Sequence, residues 1–134
     1  MHDFRLSRLS DDELDHLAQD AAAKDRAAMA LLIAHMAELD ARQLYLQAGY
    51  PTMLDYCRDG LGMDWEEAPQ RIDTARAARQ FPAIFEMLAD GRLNPDTVAL
   101  LAPHLTEANA AELLAAAAHM TESQTMEMLP DRTP

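Results

Sequence analysis

The scarcity of residues that favour β-strands is the strongest constraint on how this chain can fold. Val98 is its only valine, and aromatic residues make up 5% of the chain although 49% of its residues are hydrophobic. Alanine, leucine and methionine supply most of the apolar content. These residues enter a helix at little cost, whereas strands favour β-branched and aromatic side chains. The sequence therefore predicts an all-α fold.

The first helix is predicted to be long. Ser10 with Glu13 three residues later is a capping-box pattern, and the acidic residues around Glu13 suit the first turn of a helix. We expect one helix, or two nearly collinear helices meeting near residues 24–26, that ends before Gly49. Apolar residues continue this pattern at three- and four-residue spacing: Leu14, Leu17, Ala18, Ala21, Met29, Leu32, Met36, Leu39 and Leu46.

Caps, prolines and glycines divide the rest of the chain into short helices. The result is a compact bundle of seven or eight helices in a single domain over residues 10–130, with tails at 1–9 and 131–134. Pro69 is expected to disturb the start of its helix. The later helices are predicted from residue 51 to a stop at Gly60 or Gly62, and over residues 64–80, 82–90, 94–101, 106–118 and 121–129.

Charge and targeting signals narrow the functional classes. The formal net charge of −12 disfavours sequence-independent binding to nucleic acid, which depends on neutralising phosphates with Lys and Arg. The chain has a single cysteine, Cys57, and no secretory leader pattern, so a cytoplasmic location is expected. Its apolar stretches are far shorter than the roughly 20 residues that span a bilayer, so no membrane partner is expected.

No residue pattern indicates catalysis, a metal or a cofactor. No histidine has the close spacing to cysteines or carboxylates that a zinc or catalytic metal site requires. No nucleophile, base and orienting group converge, so neither an enzyme nor a small-molecule substrate is expected. The five histidines are scattered at His2, His16, His35, His104 and His119.

Positive charge is concentrated in one segment. Residues 41–80 carry six acidic and five basic residues, the most even balance in the chain, and Arg71, Arg76 and Arg79 lie close together there. Arg92 is a further candidate for the same surface. A helix bearing these arginines, preceded by a short helix and a glycine turn, has the outline of a helix-turn-helix that contacts DNA phosphates. The same arginines also suit a solvated face or an internal set of ion pairs.

A second candidate surface lies near the end of the chain. Methionine is flexible and fills either a helical core or an adaptable protein-binding groove. The core of a bundle is thinnest at its end, so an exposed apolar patch there would indicate a partner or a second copy. The residues of this patch are Met120, Met126, Met128 and Leu129.

Several segments together look like the N-terminal helical region of bacterial HNH-endonuclease-like proteins. The resemblance extends from about Leu9 to Pro130 and implies an accessory region that precedes a nuclease part. The metal-binding ββα element of that nuclease is absent, and the segment 64–80 is more acidic than is typical of the family. The segments are LYLQAGYPTMLDYC at 44–57, LG at 61–62, RI at 71–72, ARAARQFP at 75–82, LADGRL at 88–93 and LLAPHLT at 100–106.

These observations lead to two main functional hypotheses. The first is a non-catalytic helical accessory module that positions a nuclease through DNA or protein contacts, with the middle arginines on the phosphates. The alternative is a protein-interaction or homodimerisation module without DNA binding, favoured by the net charge, the long first helix and the methionine-rich end. A third hypothesis, an acidic surface that imitates DNA, depends on the net charge alone.

Overall fold

The computed structural model describes residues 5–129, and those residues form a helical bundle without strands. The all-α prediction is confirmed, as are the long first helix and the expected number of helices. The predicted tail at 131–134 lies outside the described residues, as do residues 1–4 and residue 130. The eight helices within 5–129 are α1 Asp11–Ala41, α2 Leu44–Gln47, α3 Met53–Asp55, α4 Glu67–Gln80, α5 Ala83–Ala89, α6 Pro95–Leu101, α7 Ala110–Ala117 and α8 Glu122–Met128.

Capping boxes open three of these helices where the sequence predicted helix starts. The side-chain oxygens of Ser10, Asn94 and Thr121 each accept a hydrogen bond from the backbone N–H three residues on, at 3.0–3.1 Å. In each case the residue three positions later also bonds back to the backbone N–H of the cap. These bonds satisfy N–H groups that have no partner within the helix, which is why the starts are well defined.

Three predicted helix boundaries are wrong, one of them the start of α4, which begins at Glu67 rather than at residue 64. Helix α1 is continuous through residues 24–26 but ends at Ala41, because Gln43 adopts a left-handed conformation with φ 54° and the chain turns before α2. Helix α7 begins at Ala110 rather than at Thr106. Thr106 and Asn109 exchange side-chain hydrogen bonds with each other's backbone N–H groups, which holds a turn before that helix.

The segment predicted as a short helix from Pro51 to Gly60 or Gly62 is irregular but does end at Gly60. Thr52 caps α3, and the chain then continues as a π-helical turn at Tyr56–Gly60. Met63 and the fully buried Cys57 pack this segment against the core. The non-helical stretch at 61–66 leads into α4, so the order of elements follows the predicted helix-turn-helix outline.

Helix α4 lies at the centre of the bundle and packs against α1, α5 and α6. Its small residues Ala68, Ala75 and Ala78 are almost completely buried, which allows the neighbouring helices to approach closely. Thr74 is also buried, and its hydroxyl donates within α4 to the carbonyl of Gln70 at 2.7 Å. The same hydroxyl lies 3.1 Å from the carbonyl oxygen of Pro95 at the start of α6.

Only the second half of α1 belongs to this core. The buried residues of the helix are Ala30, Ile33, Met36 and Ala37. Every residue from 11 to 28 is exposed, so this part of α1, roughly 27 Å long at 1.5 Å per residue, extends beyond the bundle. We call residues 11–28 the projecting half of α1.

Candidate functional site

Two of the predicted DNA-binding arginines connect α4 to α1 through ion pairs. Arg76 binds Asp40 with two nitrogens, Nε at 2.9 Å from Oδ2 and Nη2 at 3.0 Å from Oδ1. Arg79 donates to Glu38 at 2.8 Å, and Glu38 also accepts from Arg42 at 2.7 Å. A guanidinium that grips a carboxylate with two parallel bonds is held in a fixed orientation. Arg76 therefore connects α4 to α1 in a fixed geometry.

These contacts change the acid–base properties of the paired groups. Hydrogen bonds from Arg79 and then Arg42 lower the pKa of Glu38. The hydrogen bond to Asp40 raises the pKa of Arg76. Both shifts favour the charged forms, so the ion pairs persist at neutral pH. A phosphate would have to compete with carboxylates that are already in place.

Arg71 and Arg92 also have partners within the chain. Arg71 is only 16% exposed at its side chain and lies 3.2 Å from Glu67, one turn earlier on α4. Another of its nitrogens contacts the sulfur of Met29 on α1. Arg92 lies in the loop between α5 and α6, where its Nε donates to both carboxylate oxygens of Asp90 at 2.8 and 3.0 Å. Arg92 is thus paired within its own loop and not with the carboxylates of α1 and α4.

The burial of α4 also weighs against a DNA-reading role. A recognition helix must offer an exposed face that enters the major groove. In α4, six residues from Ala68 to Ala78 are buried against neighbouring helices. Its exposed residues form a narrow stripe that includes Pro69 and Asp73 beside the arginines. That stripe combines a helix-disturbing residue with a charge that repels phosphate.

The methionine-rich end does not form one continuous exposed patch. Helix α8 packs against α6 through the fully buried Thr125. Met128 and Leu129 consequently pack against the core, Met120 is half-buried, and Met126 is exposed. The predicted apolar surface is therefore reduced to one fully exposed methionine.

The projecting half of α1 presents a larger apolar surface, and the sequence pattern alone did not distinguish it from the core. Leu14 is 43% exposed and Leu17 48% exposed, and Leu31 further along the same helix is 60% exposed. These leucines belong to a series at alternating three- and four-residue steps, which lies along one side of a helix. We call this series the α1 seam: Leu14, Leu17, Ala21, Lys24, Ala28, Leu31 and His35, all of which are exposed.

The seam differs from the face that α1 turns to its own core. The sequence pattern placed Leu14 and Leu17 on a continuous apolar face with Met29 and Met36, but Met36 is fully buried and the two leucines are not. Turning 100° per residue brings Leu31 and His35, not Met36, into line with Leu17. The helix therefore carries two apolar faces, one facing the bundle and one facing solvent.

Acidic side chains surround the seam in the projecting half. Asp20 and Lys24 form an ion pair at 2.9 Å along the helix, and Lys24 lowers the pKa of Asp20 through that hydrogen bond. Leucines and alanines spaced in this way, flanked by charged residues, are what a helix presents to another helix. The seam is suited to helix pairing.

Other features of residues 5–129 give weaker indications of function than the α1 seam. No group of three or more His, Cys, Asp and Glu side chains in that range could hold a metal ion. A cavity of about 380 Å³ lies between α1 and the loop before α6, with Arg26, Arg71 and Asp25 among its lining residues. In the same range no helix is long and apolar enough to cross a membrane.

Comparison with known proteins adds nothing to this geometry. The chain matches no protein family, no curated protein and no solved structure. The α1 seam and the pairing of the arginines are therefore the features of the molecule that bear on its function.

Proposed function

We propose that this chain is a non-catalytic helical accessory module that associates with protein through the α1 seam, and that its first partner is a second copy of itself. The observation that carries this proposal is the exposure of Leu14, Leu17 and Leu31 on one side of a helix that extends beyond its own bundle. Burying such side chains against another helix stabilises an assembly by roughly 1–2 kcal/mol per leucine.

The isolated projecting half has little else to stabilise it. It contains helix-favouring alanines, a capping box and the Asp20–Lys24 ion pair, but none of its residues is buried, and near its end Arg26 lies against Gly91 of the bundle. Helices of this length are marginal in water on propensity alone, and most helices in proteins depend on burying one face. A partner helix along the seam would supply that burial.

The resemblance to the N-terminal region of HNH-endonuclease-like proteins supports the accessory part of the proposal. A module of this kind beside a nuclease part has the task of positioning it rather than performing chemistry. Pairing two such modules through α1 would hold two attached domains at a fixed separation. This role requires no catalytic group within residues 5–129.

Light scattering over a range of concentrations tests the proposal. We expect the average mass to rise from monomer toward dimer with a Kd on the order of tens of micromolar. The Leu14→Glu/Leu17→Glu variant should remain monomeric, because it places charges on the seam. The matched control Gln19→Glu/Ala23→Glu adds the same charge on the opposite side and should associate like the wild type. A wild type that stays monomeric at several hundred micromolar would refute self-association.

DNA contact through the arginines is the second candidate function. The observation in its favour is that Arg42, Arg76 and Arg79 lie together with 52–64% of each side chain exposed, although Asp40, Glu38 and Asp73 lie beside them. Fluorescence anisotropy of a labelled duplex at about 50 and 200 mM salt tests it. Saturable binding that weakens with salt and is lost in Arg71→Ala/Arg76→Ala/Arg79→Ala would support this function. Absence of binding at both salt concentrations would exclude it.

A further inference from the structure

We infer that two copies of this chain pair through the α1 seam in an antiparallel arrangement, with a two-fold axis between residues 22 and 23. This inference rests on the proposed self-association and specifies its geometry. Pairing of this kind places residues opposite each other when their numbers add to 45. It is an isologous interface, in which the same surface of each copy is used twice.

The antiparallel register covers all the exposed leucines of the seam. Leu14 of one copy lies opposite Leu31 of the second copy, and Leu17 lies opposite Ala28 of the second copy. Residues 17–28 of the two copies pair with each other, and residues 11–16 of each copy lie along residues 29–34 of the other α1, where Leu31 is exposed. Since the second half of α1 is fixed to its own bundle, it offers a rigid surface to these first turns of the partner helix.

Charge also favours antiparallel over parallel pairing. A parallel pair would place Lys24 against Lys24 of the second copy in the middle of the seam. In a parallel coiled coil it would also bring Asp20 against Asp25 of the second copy across the flanking positions, which repels. In the antiparallel register Lys24 lies opposite Ala21. Asp20 and Asp25 of the second copy are level along the axis, because their numbers add to 45, but they flank opposite sides of the seam. Their flanking neighbours on the same side are Ala27 and Ala18 of the second copy.

Small residues in the middle of the seam fit the same arrangement. Ala21 and Ala28 have short side chains, so two helices can approach closely on either side of the axis. The long aliphatic stem of Lys24 can lie over Ala21 of the second copy while its ammonium group stays near Asp20. Leu14 and Leu31 then pack against each other at both ends of the interface.

Disulfide trapping tests this orientation. The variants Leu17→Cys and Ala28→Cys are prepared separately and oxidised alone or as a mixture. In the antiparallel register, position 28 of one copy is roughly 16 Å along the helix from position 28 of the other, which is too far for a disulfide. Positions 17 and 28 lie opposite each other, so we expect covalent dimers in the mixture and not in either variant alone. The wild type is the control, because its Cys57 is fully buried.

The outcomes separate this inference from the proposed function. Covalent dimers that need both cysteine variants support antiparallel pairing. Dimers formed by Ala28→Cys alone indicate a parallel pair and overturn the inference while leaving self-association intact. Dimers seen by light scattering, with no covalent dimer in the mixture or in either variant alone, also overturn the inference of antiparallel pairing. Monomeric protein with no cross-link overturns both.

Discussion

Among single residues, Asp40 shows most clearly how the arginines serve the fold. Its side chain is 17% exposed and accepts two hydrogen bonds from Arg76, so removing Arg76 would leave a largely buried carboxylate without its partner. Glu38 is well exposed and is held by both Arg79 and Arg42, so it keeps one partner when the other is lost. Similar arginines on one helix therefore differ in how much the fold depends on them.

We expect Arg76→Ala to lower the free energy of unfolding by about 1–2 kcal/mol, because an unpaired buried carboxylate costs that much. Arg79→Ala should change it little, because exposed ion pairs contribute little. Urea unfolding followed by circular dichroism measures both variants. Equal losses of unfolding free energy in the two variants would show that the largely buried Asp40 does not need Arg76 as its partner.

The thiol of Cys57 should be unreactive in the folded protein. Burial, and secondarily the charge of Asp40, raises the pKa of Cys57 to about 11, so the thiolate is scarce at pH 8. Because the folded pKa is raised, the stability gained from keeping this thiol neutral is present below about pH 9 and is lost as the pH approaches 11.

Labelling with a disulfide reagent at pH 8 checks this expectation. The native protein should react slowly, and one thiol should react rapidly after unfolding in urea. Rapid stoichiometric labelling of the native protein would mean that the segment around Cys57 opens readily.

At the scale of elements, similar capping boxes are expected to have unequal effects. Asn94 caps α6, whose residues Val98 and Leu101 are fully buried, so its hydrogen bond contributes to the bundle as a whole. Ser10 caps the projecting half of α1, which has no core contacts. The first bond is coupled to global unfolding, whereas the second affects only local fraying.

We therefore expect Asn94→Ala to lower the free energy of unfolding by about 1 kcal/mol. Ser10→Ala should leave the global unfolding midpoint unchanged and reduce only the helical signal at low temperature. Chemical unfolding with a helix content measurement distinguishes the two effects. A comparable drop in midpoint for Ser10→Ala would show that the projecting half is coupled to the core.

Local signals predicted helix starts well because the residues that form them are adjacent in sequence. Ser10, Asn94 and Thr121 each complete their capping box within three residues. The end of α1 was mispredicted because Gln43 takes a left-handed conformation that is more usual for glycine.

Contacts between residues that are far apart in the sequence could not be predicted from the sequence pattern. Arg76 and Asp40 are 36 residues apart, so their pairing depends on how α1 and α4 pack. Spacing alone likewise could not show which apolar face of α1 the bundle would cover. The α1 seam became visible only once the exposure of Leu14 and Leu17 was known.

At the scale of the whole molecule, the net charge of −12 opposes self-association at long range. The screening length falls from about 10 Å at 0.1 M salt to about 3 Å at 1 M, so added salt should weaken this repulsion. We expect the dimer to tighten several-fold over that range in sedimentation experiments. DNA binding through arginines would weaken over the same range, so the sign of the salt effect separates the two candidate functions.

The most direct measurement of the central claim is hydrogen exchange of residues 11–28 at low and high protein concentration. In the monomer these amides belong to a stretch of helix with no buried residue and should exchange rapidly, whereas the core half of α1 around Ile33 and Met36 should be protected at both concentrations. Our account predicts that residues 11–28 become protected as the protein associates, and that Leu14→Glu/Leu17→Glu abolishes the change. Exchange that is the same at both concentrations in the wild type would contradict association through the α1 seam.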